Sequence, residues 1–203
     1  MPFKDYMEES DNLKKVHGKV VYTPNGIDES LYNLRLTGEE CRTKLSLPKD
    51  AYIILFLGSL VYRKGLHILV SAIRELVRQG TPVKLVLAGE GVMKNQLLSL
   101  SKRLGLSAHI QFPGFISEGT KPMLYNAADV FCLPSTLDLE RFPITILEAS
   151  AAGLPILVSN LQTYRGIITD GKNGVLALRG DEKYLSTKLL ALLEDRNERR
   201  RLG

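Results

Sequence analysis

The chain has 203 residues, of which 44% are hydrophobic and 24% are charged, and its formal net charge is +5. This composition excludes a disordered protein, and the length suits one α/β domain or two small ones. Lys and Arg residues are spread along the chain instead of clustering with aromatic residues, so nucleic-acid binding is not expected; the basic charge forms a solvated surface or helps to hold an anionic ligand or an acidic membrane.

The first 50 residues carry weak signals of regular structure. Residues 1–18 are polar and resemble part of a helix, and "KVVYTPNGID" at 19–28 predicts a short strand that ends at a Pro-Asn-Gly turn. Residues 29–50 are polar, with a modest helix expected around 39–45.

From residue 51, predicted strands and helices alternate. "YIILFLG" is a continuous apolar run that ends in glycine, which is typical of a strand buried on both faces. Six such strands alternate with helical segments, so we expect a Rossmann-like, doubly wound parallel sheet of six strands. The last segment, "RNERRRLG", is expected to be a charged tail. The other predicted strands are "VKLVLAG", "HIQFPG", "DVFCLPS", "LPILVSN" and "GVLAL", and the predicted helices are "KGLHILVSAIRELVRQG", "VMKNQLLSLSKRLG", "KPMLYNAA", "PITILEASAAG", a short one near 163–168 and "DEKYLSTKLLALLED".

Ligands of such sheets bind at the carboxyl ends of the strands, so the loops there are the candidates for a site. In "GSLVYRKG", Gly58 allows a close approach to a ligand, and Arg63 and Lys64 are suited to phosphate. Basic residues are also common on loops that bind nothing. The glycines of "AGEG", Gly89 and Gly91, bring the backbone close to a ligand or form a plain turn.

The segment "ERFPITILEASAAG" at 140–153 carries two glutamates among apolar residues. Pro143 fits the first position of a helix, so Ile144 and Thr145 would present backbone N–H groups that attract phosphate. Glu148 would lie in the second turn, with its Cβ leaning towards the same end. A carboxylate in such surroundings needs partners. Either sugar hydroxyls supply them, or Glu148 faces solvent or pairs with a lysine.

Other side chains give no sign of catalysis or metal binding. The two cysteines, Cys41 and Cys132, lack metal-ligand spacing, and Cys132 lies in the apolar run "VFCLP", which predicts a core position. The three histidines are scattered and are expected to be structural.

Together the motifs "GSLVYRKG", "LAGEG", "FPGFISEG…LYNAADVFCLPS", "ERFPITILEASAAGLPILVSN" and "DGKNGVLALRGD" resemble the carboxyl-terminal, donor-binding half of retaining glycosyltransferases of the GT-B fold, family four. The resemblance covers residues 19–203 and leaves 1–18 as a remnant of the interdomain or amino-terminal region. It implies that Lys64 and Arg63 bind the diphosphate of a nucleotide sugar. Glu140 would contact the transferred sugar as the catalytic residue, and Glu148 would bind the ribose hydroxyls.

The resemblance also assigns roles to the backbone. The segment with Phe142, Ile144 and Thr145 would meet the sugar and the phosphates, and Gly89 to Gly91 with Ile116 would border the base. No metal and no other cofactor is implied, since basic side chains and a helix N-terminus supply the positive charge.

The sequence departs from the family pattern in two loops. Ser59 stands where the family usually has arginine, and "LQTYRG" stands where it commonly has two glycines and an acidic residue. The amino-terminal half, which carries the acceptor site, is not recognisable. We therefore expect a donor-binding domain that transfers little by itself, from a hexosyltransferase that uses a UDP-sugar or GDP-mannose in polysaccharide or glycolipid synthesis. The alternatives are a nucleotide-sugar-binding subunit that works with a separate acceptor chain and, with less support, an epimerase of the same fold.

The expected location is the cytoplasm. No run of about 18 apolar residues predicts a membrane span, and "MPFKDYMEESDNLKK" lacks the apolar core of a signal peptide. Peripheral association with the inner face of a membrane is a further expectation.

Overall fold

A computed structural model describes residues 25–138 and 143–203. Six parallel strands form one sheet in the order β3-β2-β1-β4-β5-β6, so the predicted Rossmann-like fold is confirmed. The expectations for residues 1–24, including the remnant and most of the first predicted strand, lie outside the described residues. The strands are β1 (Tyr52–Leu57), β2 (Val83–Ala88), β3 (Ile110–Gly114), β4 (Val130–Leu133), β5 (Ile156–Ser159) and β6 (Val175–Ala177).

Helices cover both faces of the sheet. Right-handed crossovers place the helices after β1 and β2 on one face and those after β3 and β4 on the other. On the first face α2 packs against α3 and α7, and on the second α4 packs against α1 and α5. The helices are α1 (Gly38–Lys44), α2 (Leu66–Arg78), α3 (Lys94–Arg103), α4 (Lys121–Ala127), α5 (Ile144–Ala151), α6 (Gln162–Arg165), α7 (Glu182–Glu194) and α8 (Arg196–Leu202).

The sheet is the centre of the core, because the apolar strands are covered on both sides. All four residues of β4 are fully buried, including Cys132, as the sequence predicts. Burial raises the pKa of the Cys132 thiol, which suits a packing role. Within the described part of the chain, no helix combines the length and the apolar character that crossing a bilayer requires.

The predicted charged tail is wrong, because residues 196–202 form helix α8. Asp195 caps this helix by accepting a hydrogen bond from the Glu198 backbone N–H at 2.9 Å. The Arg199 guanidinium donates to the Leu192 carbonyl at 2.7 Å, and Leu202 is buried. An aspartate followed three residues later by a glutamate is a helix-start signal, which the density of charges obscured.

Candidate functional site

The strand order reverses between β1 and β4, and the loops that leave these two strands flank the resulting crevice. The first loop runs from Gly58 through a 3-10 turn at Tyr62–Lys64 into α2. The second runs from Pro134 towards α5. The predicted basic pair and the predicted helix N-terminus therefore lie on loops of neighbouring strands, at the edge where a ligand is expected.

The two loops are joined by backbone contacts. The Thr136 N–H donates to the Arg63 carbonyl at 2.7 Å, and the Thr136 hydroxyl donates to the same oxygen at 3.3 Å. Gly65 is left-handed, with φ of 67°, and a Cβ there would stand 2.0 Å from the Pro134 carbonyl oxygen. Only glycine permits this approach. As a result, Arg63 and Lys64 are held at the crevice, and Lys64 is buried with 8% of its surface exposed.

The glycines of "AGEG" serve close backbone packing between loops. A Cβ on Gly89 would lie 2.0 Å from the Gly58 carbonyl oxygen, and one on Gly91 would lie 2.4 Å from that of Leu60. The Leu60 N–H donates to the Glu90 carbonyl at 2.8 Å. The predicted close approach therefore exists, and the backbone that approaches these glycines is that of the β1 loop. A role of Gly58, Gly89 and Gly91 in ligand binding stays a prediction.

The loop after β3 is attached to the same region. The Gly89 N–H donates to the Gly114 carbonyl at 2.8 Å. Ile116 is half-buried and packs against the core, whereas its neighbour Phe115 is 81% exposed. Ile116 therefore lies at the carboxyl edge of the sheet, as expected. Its contact with the base of a nucleotide stays a prediction.

Helix α5 begins one residue later than the sequence suggests. Pro143 is the capping residue, with φ of −73° and ψ of 108°, and Ile144 is the first helical residue. The predicted first-position proline is thus displaced by one residue, because its ψ is still extended. Ile144 is 43% exposed and Thr145 is half-buried in the first turn. The predicted site residues Glu140 and Phe142 lie outside the described residues.

Glu148 is buried, with 4% of its surface exposed, and its partners come from a different helix. The Tyr125 hydroxyl donates to Glu148 Oε2 at 2.7 Å, and Lys121 Nζ lies 3.4 Å from Oε1. Of the interpretations open from the sequence, pairing with a lysine is therefore present. It does not exclude a ligand, since an ionised carboxylate accepts about four hydrogen bonds.

Several titrating groups around Glu148 are shifted. Burial first, and then the Glu148 charge, raise the pKa of the Tyr125 hydroxyl, so that it remains a donor. Burial and then Glu148 raise the pKa of Tyr32 in the same way. For Lys121, burial lowers the pKa, but the hydrogen bond with Glu118 and the charge of Glu148 outweigh it and the net shift is upwards. The cluster therefore keeps a cation and two neutral donors around one carboxylate.

Sequence reasoning missed Lys121, Tyr125 and Asp138. Lys121 and Tyr125 are four residues apart on α4, so they share a helix face, which was the available signal. The Asp138 carboxylate accepts hydrogen bonds from the backbone N–H groups of Gln162 and Thr163 at 3.1 and 3.2 Å. It therefore caps α6, which occupies the stretch "LQTYRG" that departs from the family pattern.

Among the residues that the structure describes, no group of three or more His, Cys, Asp or Glu side chains could hold a metal ion. The positive groups placed at the crevice are Arg63, Lys64 and the first turn of α5. Together with the buried carboxylate of Glu148, they could bind a ligand that combines phosphates with hydroxyl groups.

The chain resembles known enzymes in sequence. An uncharacterised glycosyltransferase of Methanocaldococcus jannaschii is 37% identical over 160 residues, which are 77% of this chain and 40% of the relative. A phosphatidyl-myo-inositol mannosyltransferase of Mycolicibacterium smegmatis is 30% identical over 185 residues, which are 90% of this chain and 45% of the relative. The chain thus spans less than half the length of these two relatives.

Solved structures show the same fold. The Anabaena protein HepE in complex with UDP-glucose superposes with a TM-score of 0.79 at 25% identity, over 88% of this chain and 49% of HepE. The sheet and this likeness confirm that the chain has the fold of a Rossmann-like half of a GT-B glycosyltransferase. The family model described as "Glycosyl transferases group 1" matches residues 38–203. The chain therefore belongs to the group 1 glycosyltransferase family.

Proposed function

We propose that this chain is the carboxyl-terminal, donor-binding domain of a retaining glycosyltransferase, which transfers a hexose from a nucleoside-diphosphate sugar to a glycan or a lipid-linked acceptor. The observation that carries the proposal is the junction of the β1 and β4 loops, where Thr136 fixes the backbone of Arg63 beside the segment that leads into α5. Basic side chains and a helix N-terminus are thereby placed at the crevice of a glycosyltransferase fold.

The diphosphate would bind to Lys64, Arg63 and the first N–H groups of α5. Ile144 and Thr145 begin the helix, and the first N–H groups of a helix have no partner within it. The helix dipole adds positive potential at this end. These groups would stabilise the charge that develops on the leaving diphosphate, and for that reason we propose that no metal is required.

The two glutamates would serve different sugars. Glu148 would accept hydrogen bonds from the ribose hydroxyls, because it is buried and retains acceptor capacity beside Tyr125 and Lys121. Glu140 would act at the transferred sugar. The names of similar proteins support a hexose donor, since one relative is a mannosyltransferase and one similar structure is a complex of HepE with UDP-glucose. UDP-glucose and GDP-mannose are therefore the first donors to test.

A second candidate is a donor-binding subunit that completes its active site with a separate acceptor chain. Such a subunit would carry the same crevice, and the chain spans 40% and 45% of two relatives. In both cases the chain alone should bind a donor and transfer poorly, because the acceptor must be positioned and water excluded. Transfer that appears only after a second polypeptide is added would distinguish this candidate from the first.

The test is calorimetric titration of the chain with UDP, GDP and ADP, each with and without an attached glucose or mannose. We expect one nucleotide to bind and its affinity to fall by about 1–3 kcal/mol in Glu148→Ala, the scale of a lost hydrogen bond to a charged group. Binding of none of these nucleotides would contradict the proposed donor site. Efficient transfer by the isolated chain would contradict its description as a donor half.

A further inference from the structure

Helix α4 contributes the side chains that surround Glu148. Tyr125 and Lys121 are one turn apart, and each contacts a different oxygen of the carboxylate. The Tyr125 contact is short, at 2.7 Å, while the Lys121 contact is long, at 3.4 Å. Lys121 makes its short contact, also 2.7 Å, with the exposed Glu118. The contact at Oε2 is thus short and the Lys121 contact at Oε1 is long, and the Tyr32 hydroxyl is a further hydrogen-bonding neighbour of the carboxylate.

Tyr125 cannot easily move away from this position. It is fully buried, and its ring packs edge-on against Tyr32, with centroids 5.8 Å apart, and at a tilt against Phe131, with centroids 5.9 Å apart. A ring enclosed in this way keeps one rotamer, because leaving it would open a cavity in the core. The hydroxyl therefore presents a fixed donor to Glu148.

Asp129 shows how a carboxylate with a structural role is held at the other edge of the sheet. Its Oδ2 accepts two short hydrogen bonds, from Arg42 at 2.6 Å and from the Ile53 N–H at 2.7 Å, and thereby joins α1 to β1. Glu148 is more deeply buried, and its neighbours are side chains: Tyr125 donates at 2.7 Å, Lys121 lies at 3.4 Å, and the Tyr32 hydroxyl adds a further hydrogen bond. Since a carboxylate accepts about four hydrogen bonds, Glu148 can still accept from a ligand while Tyr125 holds its orientation.

We infer that Tyr125 and Lys121 are positioning residues that orient the Glu148 carboxylate so that Oε1 accepts hydrogen bonds from the ribose diol of the nucleotide. The inference rests on the proposed donor function and extends it to two residues that contact the ligand only through Glu148. Tyr125 fixes the carboxylate plane through Oε2, and Lys121 places a positive charge 3.4 Å from Oε1. Discrimination of a ribonucleotide from its deoxy analogue should then depend on Tyr125.

The experiment measures dissociation constants for UDP and 2′-deoxy-UDP, and for GDP and 2′-deoxy-GDP, by titration calorimetry. We expect the wild-type chain to prefer the ribonucleotide by about tenfold. Tyr125→Phe should reduce this preference to about twofold or less. Tyr52→Phe removes a hydroxyl at the start of β1, at the opposite edge of the sheet, and should keep the full preference.

A merely structural role of Tyr125 would lower stability and leave the ribose preference unchanged, so the thermal midpoint is recorded for each variant. If Tyr125→Phe does not fold, the ribose preference of Lys121→Gln tests the inference instead, because Lys121 is partly exposed and its removal leaves the core intact. In a Glu148→Gln background, Tyr125→Phe should cause no further loss of preference, since both changes act on one contact.

Three results would overturn the inference. One is a wild-type ribose preference in folded Tyr125→Phe. If that variant does not fold, the same result in Lys121→Gln counts instead. Another is a further loss of ribose preference when Tyr125→Phe is added to Glu148→Gln. A third is a wild-type chain that binds both forms of the nucleotide equally, which would leave the proposed donor function standing. Absence of any nucleotide binding by the wild type would instead remove the donor function and the inference together.

Discussion

Each edge of the sheet holds a partly buried ion pair, and the two pairs differ in the distance between the charges and in the other partners of the carboxylate. At the amino edge, Arg42 and Asp129 meet at 2.6 Å, and Arg42 also donates to the Ala127 carbonyl at 2.8 Å. At the carboxyl edge, Lys121 and Glu148 are 3.4 Å apart. The short pair at the amino edge ties α1 to the sheet. The long pair at the carboxyl edge is joined by the hydroxyls of Tyr125 and Tyr32, and it lies beside the proposed donor site.

The largest effect is expected from breaking the amino-edge pair. Asp129→Ala should lower the free energy of unfolding by about 3 kcal/mol or more, because it leaves Arg42 without its charge partner and the Ile53 N–H without its acceptor. Urea denaturation measures this change. The nucleotide affinity of the folded variant should match that of the wild type. A loss of affinity equal to that in Glu148→Ala would show that the two edges are energetically coupled.

The next effect concerns the junction of the two crevice loops. Gly65→Ala would place a Cβ 2.0 Å from the Pro134 carbonyl oxygen, so the loops must separate. We expect a loss of about 2–3 kcal/mol in stability, measured by denaturation, together with weaker nucleotide binding.

Gly80→Ala is the matched control for this change. Gly80 has a similar φ of 79°, but no atom lies within 4 Å of its added Cβ. This variant should show only the cost of a left-handed alanine, about 1 kcal/mol, and unchanged binding. Equal effects of the two alanines would show that the contact with Pro134 is unimportant.

A smaller effect is expected from the lysine at the crevice. Lys64→Ala should weaken nucleotide binding by about 1–3 kcal/mol, as calorimetry would detect, because one phosphate contact is lost. Lys84→Ala provides the comparison, since Lys84 Nζ donates to the Ala108 carbonyl beside the start of β3. If both variants bind equally well, Lys64 does not contact the phosphates.

The smallest effect is a change in acid sensitivity. Burial acts to raise the pKa of Asp138, but its hydrogen bonds with Thr163 and Gln162 outweigh burial and lower it. Asp138 therefore stabilises the fold above its unfolded pKa, near 4, and this contribution is lost as pH falls through the lower folded value. Denaturation curves between pH 5 and pH 2 should show a shallower decline in Asp138→Asn than in the wild type. An identical decline would mean that the cap on α6 adds no stability.

Much of the fold could be predicted because local signals agree. The apolar run that became β1 ends at Gly58, and the amphipathic pattern that became α2 starts after Gly65. Such periodicity is a property of the chain itself. The loop positions of Arg63 and Lys64 follow from it, since right-handed crossovers bring the strand ends to one edge.

The partners of Glu148 could not be predicted in the same way. Tyr125 is 23 residues away in sequence, and the 2.7 Å contact between them exists only because α4 and α5 pack on the same face. The glycines of "AGEG" also needed the structure, since the backbone they approach belongs to the loop after β1.

Local patterns of the sequence were therefore enough to predict the parallel sheet, the edge at which a site is expected and the family resemblance, because hydrophobic periodicity and glycine turns act over short distances. The packing of separate elements decides which groups surround each carboxylate, Arg42 at Asp129 and the side chains of α4 at Glu148. Hydrogen bonds at 2.6 Å and ion pairs at 3.4 Å depend on how separate helices pack. No local pattern specifies that geometry.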